Sequence, residues 1–141
     1  MKIAELVQQI AARKTMAREQ VEASIAKAHS VEEYHALLSL TEERALARAD
    51  EIDAKIANGE DAGVLAGVPF VVKDNYLAFG APTTAASKML EHFNAPLQAT
   101  VVEKLEAAGA ICIGKSNMDA FAHGGNTRHL CWYFSQFGRR G

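Results

Sequence analysis

Two short apolar runs, each followed by a lysine, constrain the fold of this chain more than any other feature. The first run, Val68–Val72, leads into Lys73, and the second, Ala110–Ile113, leads through a glycine to Lys115. Runs of this length that contain β-branched residues are typical of buried strands. An amphipathic segment typical of a helix begins near Thr100, between the two runs. The order strand, helix, strand predicts an α/β sheet with functional groups gathered at the strand ends.

The first 60 residues have a different pattern, that of a helical region. Apolar residues at helical spacing predict one helix over residues 2–13, a second that follows a Thr15 cap, and a third that follows a Thr41 cap and ends at Gly59. The apolar stretch 34–40 between the second and third helices could form a strand, although periodicity alone leaves its type open. The positions expected to face the core in the second and third helices are Val21, Ala23, Ile25, Ala28, Ala45, Ala49, Ile52 and Ile56.

Three further helix starts are predicted in the second half of the chain. Two threonines favour a helix over residues 83–90. The pairs Thr100 with Glu103 and Ser116 with Asp119 have the spacing of a capping box, in which each side chain satisfies a backbone donor of the other. Each of these pairs is therefore expected to open a helix.

One short motif points to a different function. Residues 109–116 match the pattern G-x-x-x-x-G-K-[ST] of phosphate-binding loops. That loop needs a strand before its first glycine and a flexible segment between its glycines. Here an amphipathic helix precedes Gly109, and the intervening residues favour a strand. We therefore interpret Gly109 as a helix C-cap and Lys115 as a loop lysine.

Composition and charge argue against several classes of function. Apolar residues make up 49% of the chain and charged residues 23%, as in a soluble globular protein. The net charge of −2 gives no global reason to bind nucleic acid. We expect no membrane span, no signal peptide and, because Cys112 and Cys131 lack metal-ligand spacing to the histidines, no metal site. The cytoplasm is the default compartment.

Lys73 is the principal candidate for chemistry. A cation at the end of a buried strand is costly unless it has a partner or a task. Burial lowers the pKa of a lysine, so that a buried lysine can act as a base; in the alternative, the stem lies on the edge of the core and the ammonium reaches water. An ionised Asp74 would oppose the effect of burial, and the sequence leaves open which effect dominates. Asp74 is expected to anchor the loop rather than to transfer protons.

Four segments of the chain resemble the amidase signature family, and they are Leu65–Asn75, Thr83–Leu90, Ala99–Leu105 and Gly109–Ala122. The resemblance covers most of the chain up to about residue 127. It implies an α/β fold in which a mixed sheet has helices on both faces. This chain would carry an incomplete, N-terminal part of that domain, with a helical region over 1–60, the first β-α-β units over 65–127, and a tail, 128–141, without family pattern.

The resemblance also implies a serine hydrolase with a Ser–cis-Ser–Lys triad, in which Lys73 takes the lysine position. A neutral lysine would accept a proton from the bridging serine, and that serine would deprotonate the nucleophile. Backbone amides would stabilise the oxyanion. Both serines are expected in a Gly/Ser-rich signature beyond residue 141, and neither Ser116 nor Ser135 lies in such a context. We therefore expect the chain alone to be inactive.

Within the family, the motifs are most similar to the glutamine-hydrolysing subunits of tRNA-dependent amidotransferases. This similarity implies that glutamine is the amide substrate and that its ammonia passes to partner subunits, B and C, of a heterotrimer. Those partners would convert misacylated Glu-tRNA(Gln) with ATP and magnesium, so no cofactor is expected on this chain. Two alternatives remain open: a truncated hydrolase of another small amide, and a non-catalytic fragment that binds a partner.

The segment 122–127 departs from the Gly/Ser-rich stretch that the family has near its substrate. We expect Gly124, Gly125 and Asn126 to lie near the substrate and His123 to have a structural role. The tail that follows has the character of a frameshift or an early gene end. Its aromatic residues and two arginines are interpreted as accidental composition rather than as a nucleic-acid platform.

Overall fold

The computed structural model describes residues 2–122, which form four helices and three strands. The helices are α1 (Ile3–Ala11), α2 (Ala17–Ser30), α3 (Glu42–Ala57) and α4 (Thr100–Ala107), and the strands are β1 (Leu37–Leu40), β2 (Pro69–Lys73) and β3 (Ile111–Ser116). Single turns of 3-10 helix lie at Glu32–Tyr34, Lys88–Leu90 and Ala120–Ala122. The predictions for His123, Gly124, Gly125, Asn126 and the tail 128–141 concern residues outside the described range.

The strands form a mixed sheet in the order β1-β3-β2. β3 is antiparallel to β1 and parallel to β2, and α4 lies in the connection between the two parallel strands. Because parallel strands end on the same side, Lys73 of β2 is paired with Ser116 of β3. The α/β arrangement predicted from the two apolar runs is therefore confirmed. The stretch whose type was left open contributes β1.

Each face of the sheet has its own apolar cluster. On one face, Ile111 and Ile113 of β3 pack with buried residues of α1, α2 and α3, a group of helices that we call the helical layer. On the other face, Cys112 packs with Val72 of β2 and Val102 of α4. The strand places successive side chains on opposite faces, so a continuous apolar run can be buried from both sides. Helices thus cover both faces, as the family resemblance implied.

The apolar spacing predicted the helical layer well, but the predicted cap of α2 was misplaced by one residue. Most residues expected to face the core are buried, and they are Val21, Ile25, Ala45, Ala49 and Ile52. Ala23 is exposed instead. The N-cap of α2 is Met16 and not Thr15, because the Glu19 carboxylate accepts bonds from the Met16 amide at 3.1 Å and the Thr15 hydroxyl at 2.7 Å.

Thr41 does lie at the N-cap of α3, but its side chain does not cap that helix. Its hydroxyl instead donates to the Cys112 carbonyl oxygen at 2.8 Å, and its amide donates to the Ile113 carbonyl oxygen at 3.0 Å. The residue is buried against β3, where an unpaired carbonyl would be costly. The start of α3 is in this way tied to the middle of the sheet.

The helix predicted over residues 83–90 is wrong. Ala85 and Ala86 have φ values of 48° and 53°, in the left-handed region, so a right-handed helix cannot run through them. The side chain and amide of Thr84 bind the Asp74 carboxylate instead of starting a helix. Only the turn at Lys88–Leu90 is helical.

The two predicted capping boxes fail in different ways. α4 does form, but Ala99 is its N-cap and no side-chain cap bond is present. The helix expected after Ser116 is replaced by the single turn at Ala120–Ala122, in which Phe121 has a φ of 51°. As predicted, Gly109 follows the end of α4, with a φ of 93°, and the residues after it form a strand and not a phosphate-binding loop.

An irregularity in the pairing of β2 with β3 decides where Lys115 points. Phe70 pairs with Cys112 and the next residue of β2 pairs with Gly114, so Ile113 is an extra residue on β3. A shift of one residue moves the following side chains to the other face of the sheet. Lys115, paired with Val72, therefore lies on the face of Cys112 rather than on that of the helical layer.

Candidate functional site

The parallel strands β2 and β3 end side by side, and Lys73 is the last residue of β2. The Asp74 amide, one residue further, donates to the Ser116 carbonyl oxygen at 3.1 Å and joins the two strand ends. The Lys73 side chain is exposed. Of the two environments considered for this lysine, the structure has the one in which the ammonium reaches water. The strand end is where the sequence predicted it, but the buried amine is elsewhere.

The buried lysine is Lys115, whose side chain is 0% exposed. Its Nζ donates to Asp74 Oδ1 at 2.9 Å and to Thr83 Oγ1 at 3.0 Å. The interpretation of Lys115 as a loop lysine is wrong, because it lies within β3. Burial of an ammonium requires such partners, since an unpaired charge in the interior is very costly. The sequence contained a signal for Lys115, because it follows an apolar run. The same signal was applied only to Lys73.

Asp74 is the charge partner of this buried lysine and is itself 0% exposed. Its Oδ2 accepts from the Thr84 amide at 3.0 Å and from the Thr84 hydroxyl, and its backbone oxygen accepts from the Ala85 amide at 3.1 Å. Asp74 therefore anchors the loop, as the sequence predicted. Its charge, however, is paired with Lys115. We call Asp74, Thr83, Thr84 and Lys115 the strand-end cluster.

The loop that the strand-end cluster holds contains unusual backbone conformations. Ala85 and Ala86 are buried and consecutive, and both have positive φ values. The Ala86 amide donates to Thr84 Oγ1 at 3.1 Å, and the Ala85 carbonyl oxygen accepts from the Phe121 amide at 2.9 Å. A non-glycine residue in this region costs on the order of 1–3 kcal/mol and persists only when its surroundings hold it. Such outliers concentrate at functional sites, which here supports the strand ends as the candidate site.

A second buried polar group links α4 to α3 of the helical layer. Glu106 is 7% exposed and is bound by the Arg44 guanidinium, with one of the two bonds at 2.8 Å, and by Gln98 Nε2 at 2.8 Å. Burial by itself would raise the pKa of Glu106, but the bonds from Arg44 and Gln98 outweigh it, so that the pKa lies below its usual value. The bond to Glu106 in turn raises the pKa of Arg44. This group therefore holds the two helices together through charge-assisted bonds.

Other features of the described residues do not point to a site. Burial raises the pKa of the Cys112 thiol, which keeps it protonated and a poor nucleophile. Within residues 2–122, no group of three or more histidine, cysteine, aspartate or glutamate side chains is placed to hold a metal ion. None of the helices in that range is both long and apolar enough to cross a bilayer. An open cleft of about 300 Å³ lies between the end of α2 and β1, and the strand-end cluster takes no part in its lining.

Comparison with known proteins gives a consistent family. The amidase family model matches residues 19–134. The glutamyl-tRNA(Gln) amidotransferase A-subunit of Thermosynechococcus vestitus is 45% identical over 134 residues, and that of Gloeobacter violaceus is 48% identical over 128 residues. These alignments cover 94% and 90% of this chain but 28% and 26% of the relatives. The chain thus spans little more than a quarter of their length.

Solved structures share the fold. A protein of a vestigial complex that reveals the evolutionary origins of an s-triazine catabolic enzyme matches with a TM-score of 0.87 and 37% identity, over 94% of this chain and 29% of that one. The native peptide amidase of Stenotrophomonas maltophilia matches with a TM-score of 0.82 and 28% identity, over 87% of this chain and 26% of that one. In both cases most of this chain superposes on less than a third of a longer protein.

Proposed function

The chain belongs to the amidase family, and we propose that it is the N-terminal part of a glutamine-hydrolysing amidotransferase subunit in which Lys73 is the base of a Ser–cis-Ser–Lys triad. The observation that carries this proposal is the position of Lys73 at the carboxyl end of β2, exposed beside the end of β3. In α/β sheets, ligands bind outside the carboxyl ends of the parallel strands. The curated relatives, which are named as amidotransferase A-subunits, support the choice of glutamine.

The proposed mechanism assigns one proton transfer to this chain. Lys73, when neutral, accepts a proton from the bridging serine, which deprotonates the nucleophilic serine for attack on the side-chain amide of glutamine. The 141 residues contain no Gly/Ser-rich signature to supply these serines. We therefore propose that these residues alone do not hydrolyse glutamine, and that the segment with the serines covers Lys73.

The remaining chemistry is assigned to partners. Ammonia released from glutamine would pass to subunits B and C of a cytoplasmic heterotrimer, which would use ATP and magnesium to convert misacylated Glu-tRNA(Gln). In this proposal the chain itself binds no cofactor. Since its net charge of −2 provides no electrostatic attraction for RNA, contact with tRNA through the partners is the simpler arrangement.

A second candidate function is the hydrolysis of another small amide. It is favoured by the likeness in fold and sequence to the peptide amidase, which covers 87% of this chain with a TM-score of 0.82. The two candidates differ in substrate and partners but share the lysine. Ammonia release from simple amides, with none from glutamine, would favour this second function.

The test compares the 141-residue chain with a chimera in which its residues 1–122 replace the matching segment of the Thermosynechococcus vestitus relative. We expect the chain alone to release ammonia from glutamine no faster than buffer, and the chimera to be active. Lys73→Met should reduce the activity of the chimera at least a hundredfold, the usual scale for loss of a general base. The matched control is Lys104→Met, at an exposed position of α4.

Two outcomes would contradict the proposal. Lys73-dependent turnover by the chain alone would show that no further serine-bearing segment is required. Full activity of the chimera with Lys73→Met would remove Lys73 from the mechanism.

A further inference from the structure

The proposed triad gives no reason for Lys115, a lysine buried in the interior. Lys115 and Asp74 are 0% and 1% exposed in their side chains, so both charges are withdrawn from water. The attraction within a buried ion pair often fails to outweigh this loss of hydration, and apolar residues of similar volume are commonly as stabilising. Stability alone is therefore a weak explanation of the pair. A requirement for a defined geometry is a better one.

The ion pair between Lys115 and Asp74 fixes the backbone next to Lys73. Asp74 directly follows Lys73, and three of its groups are fixed to other parts of the fold. Its amide is bound to the Ser116 carbonyl oxygen, its backbone oxygen to the Ala85 amide, and its carboxylate to Lys115 and Thr84. Each of these bonds limits the direction in which the chain leaves β2. The backbone direction at this turn in turn sets the direction in which the Lys73 side chain projects.

We propose that Lys115 is a positioning residue whose buried ammonium, bound to Asp74 and Thr83, fixes the turn after β2 and so the placement of the Lys73 amine. The bond to Thr83 extends this control to the loop with the left-handed residues Ala85 and Ala86. One ammonium thus connects both the turn after β2 and this loop to the end of β3. This inference rests on the proposed function only in taking Lys73 as the base.

The bulge in β3 gives the inference an independent structural basis. With strict alternation, Lys115 would lie on the face of the helical layer with Ile111 and Ile113. The extra residue between Cys112 and Gly114 turns Lys115 to the opposite face, where Asp74 and Thr83 are within reach. Bulges commonly re-aim a side chain next to an active site.

The experiment measures the backbone around Lys73 in the 141-residue chain and needs no activity. Thr83→Val removes one acceptor of Lys115 and keeps a β-branched shape, whereas Thr83→Ser keeps the hydroxyl. Lys115→Met removes the ammonium, and Lys104→Met is the matched surface control. Native-state hydrogen exchange is followed at the amides of Asp74 and Ala85 and, for reference, at Ile25 of α2. The amide resonance of Lys73 is recorded by NMR in each variant.

The expected result is local. Thr83→Val should accelerate exchange at Asp74 and Ala85 about tenfold relative to Ile25 and shift the Lys73 resonance, and Thr83→Ser should restore both readouts. Lys115→Met should have the same local effect, but larger, under conditions in which this variant remains folded. Equal acceleration at all three amides, or an unchanged Lys73 resonance in Thr83→Val, would overturn the inference. Because no turnover is measured, failure of this test leaves the proposed role of Lys73 as the base untouched, and an inactive chimera leaves this inference untouched.

Discussion

The helical layer and the strand-end cluster are both buried, but they are held by different forces. In the helical layer, buried residues such as Ile10, Val21 and Ile52 are at most 3% exposed and pack through apolar contacts. In the strand-end cluster, the centre of the buried region is an ion pair, and nearly every polar atom has a defined partner. Apolar contacts are non-directional, whereas hydrogen bonds fix distances and angles. The first region therefore tolerates small changes of shape, and the second does not.

This difference agrees with the proposed role of Lys73 as the base. The helical layer covers one face of the sheet and needs only to exclude water. The strand-end cluster lies directly after Lys73, where a displacement of about 1 Å can cost a hundredfold in rate in an enzyme. A buried polar centre tolerates fewer substitutions, because each donor or acceptor left unpaired lowers the stability of the fold. We infer that the strand ends hold a fixed geometry, whereas the helices tolerate small changes of shape.

The largest expected effect is that of Lys115→Met. Removing one partner of a buried ion pair leaves the other charge without compensation, and we expect the free energy of unfolding to fall by about 4 kcal/mol. The double variant Lys115→Met with Asp74→Asn removes both charges and keeps an acceptor for Thr84. It should recover at least half of the loss. Urea unfolding followed by circular dichroism measures both variants.

If the double variant were as unstable as Lys115→Met, the cost would come from lost packing rather than from an unpaired charge. In that case, both the helical layer and the strand-end cluster would be stabilised mainly by packing, and the distinction between them would be wrong. Lys104→Met, at an exposed site, controls for the loss of a lysine and should change the free energy of unfolding by less than about 0.5 kcal/mol.

In the helical layer, the corresponding test is Ile10→Ala. Ile10 is 1% exposed, and truncation should destabilise by about 3 kcal/mol through lost transfer energy and the cavity left behind. Ile10→Val, which keeps most of the shape, should cost about 1 kcal/mol. Denaturant midpoints at constant m-value provide the measurement. A loss of more than about 3 kcal/mol for Ile10→Val would show that the helical layer is as intolerant of small changes as the strand-end cluster.

The sequence predicted the two regions unequally, for physical reasons. Helical spacing located α1, α2 and α3, because burial of one face is a local property of the chain. The caps at Thr15 and Thr41 were less predictable, since a side chain chooses among partners that only the fold brings near. Thr41, for example, binds the carbonyl of Cys112, which is 71 residues away.

At the strand ends, the position of Lys73 could be predicted and the burial of Lys115 could not. Both lysines follow apolar runs, but a bulge determines which face Lys115 occupies, and bulges arise from pairing between distant strands. The helix expected over 83–90 failed for a similar reason. The Thr84 amide is bound to the Asp74 carboxylate, and the next residue, Ala85, is in the left-handed region, where a right-handed helix cannot continue.

The smallest expected effect tests the polar link between the helical layer and α4, which packs on the opposite face of the sheet. Glu106 of α4 accepts from Arg44 of the helical layer and from Gln98 of the loop that precedes α4. Glu106→Gln removes the charge and keeps the shape, which should reduce the free energy of unfolding by about 2 kcal/mol at pH 7, the scale of hydrogen bonds to charged groups. Glu103→Gln, at an exposed position of the same helix, is the matched control.

The pH dependence of this effect follows from the direction of the pKa shift. Because the pKa of Glu106 in the folded state lies below its usual value of 4.5, its stabilisation is fully present above pH 4.5 and is lost as the pH falls through the lower, folded-state value. The difference between the native chain and Glu106→Gln should therefore be constant from pH 7 to about pH 5 and shrink toward zero in more acidic solution. A difference that persisted unchanged at acidic pH would mean that the lost stability does not come from the charge of Glu106. The charge-assisted bonds from Arg44 and Gln98 would then not be what joins α4 to the helical layer.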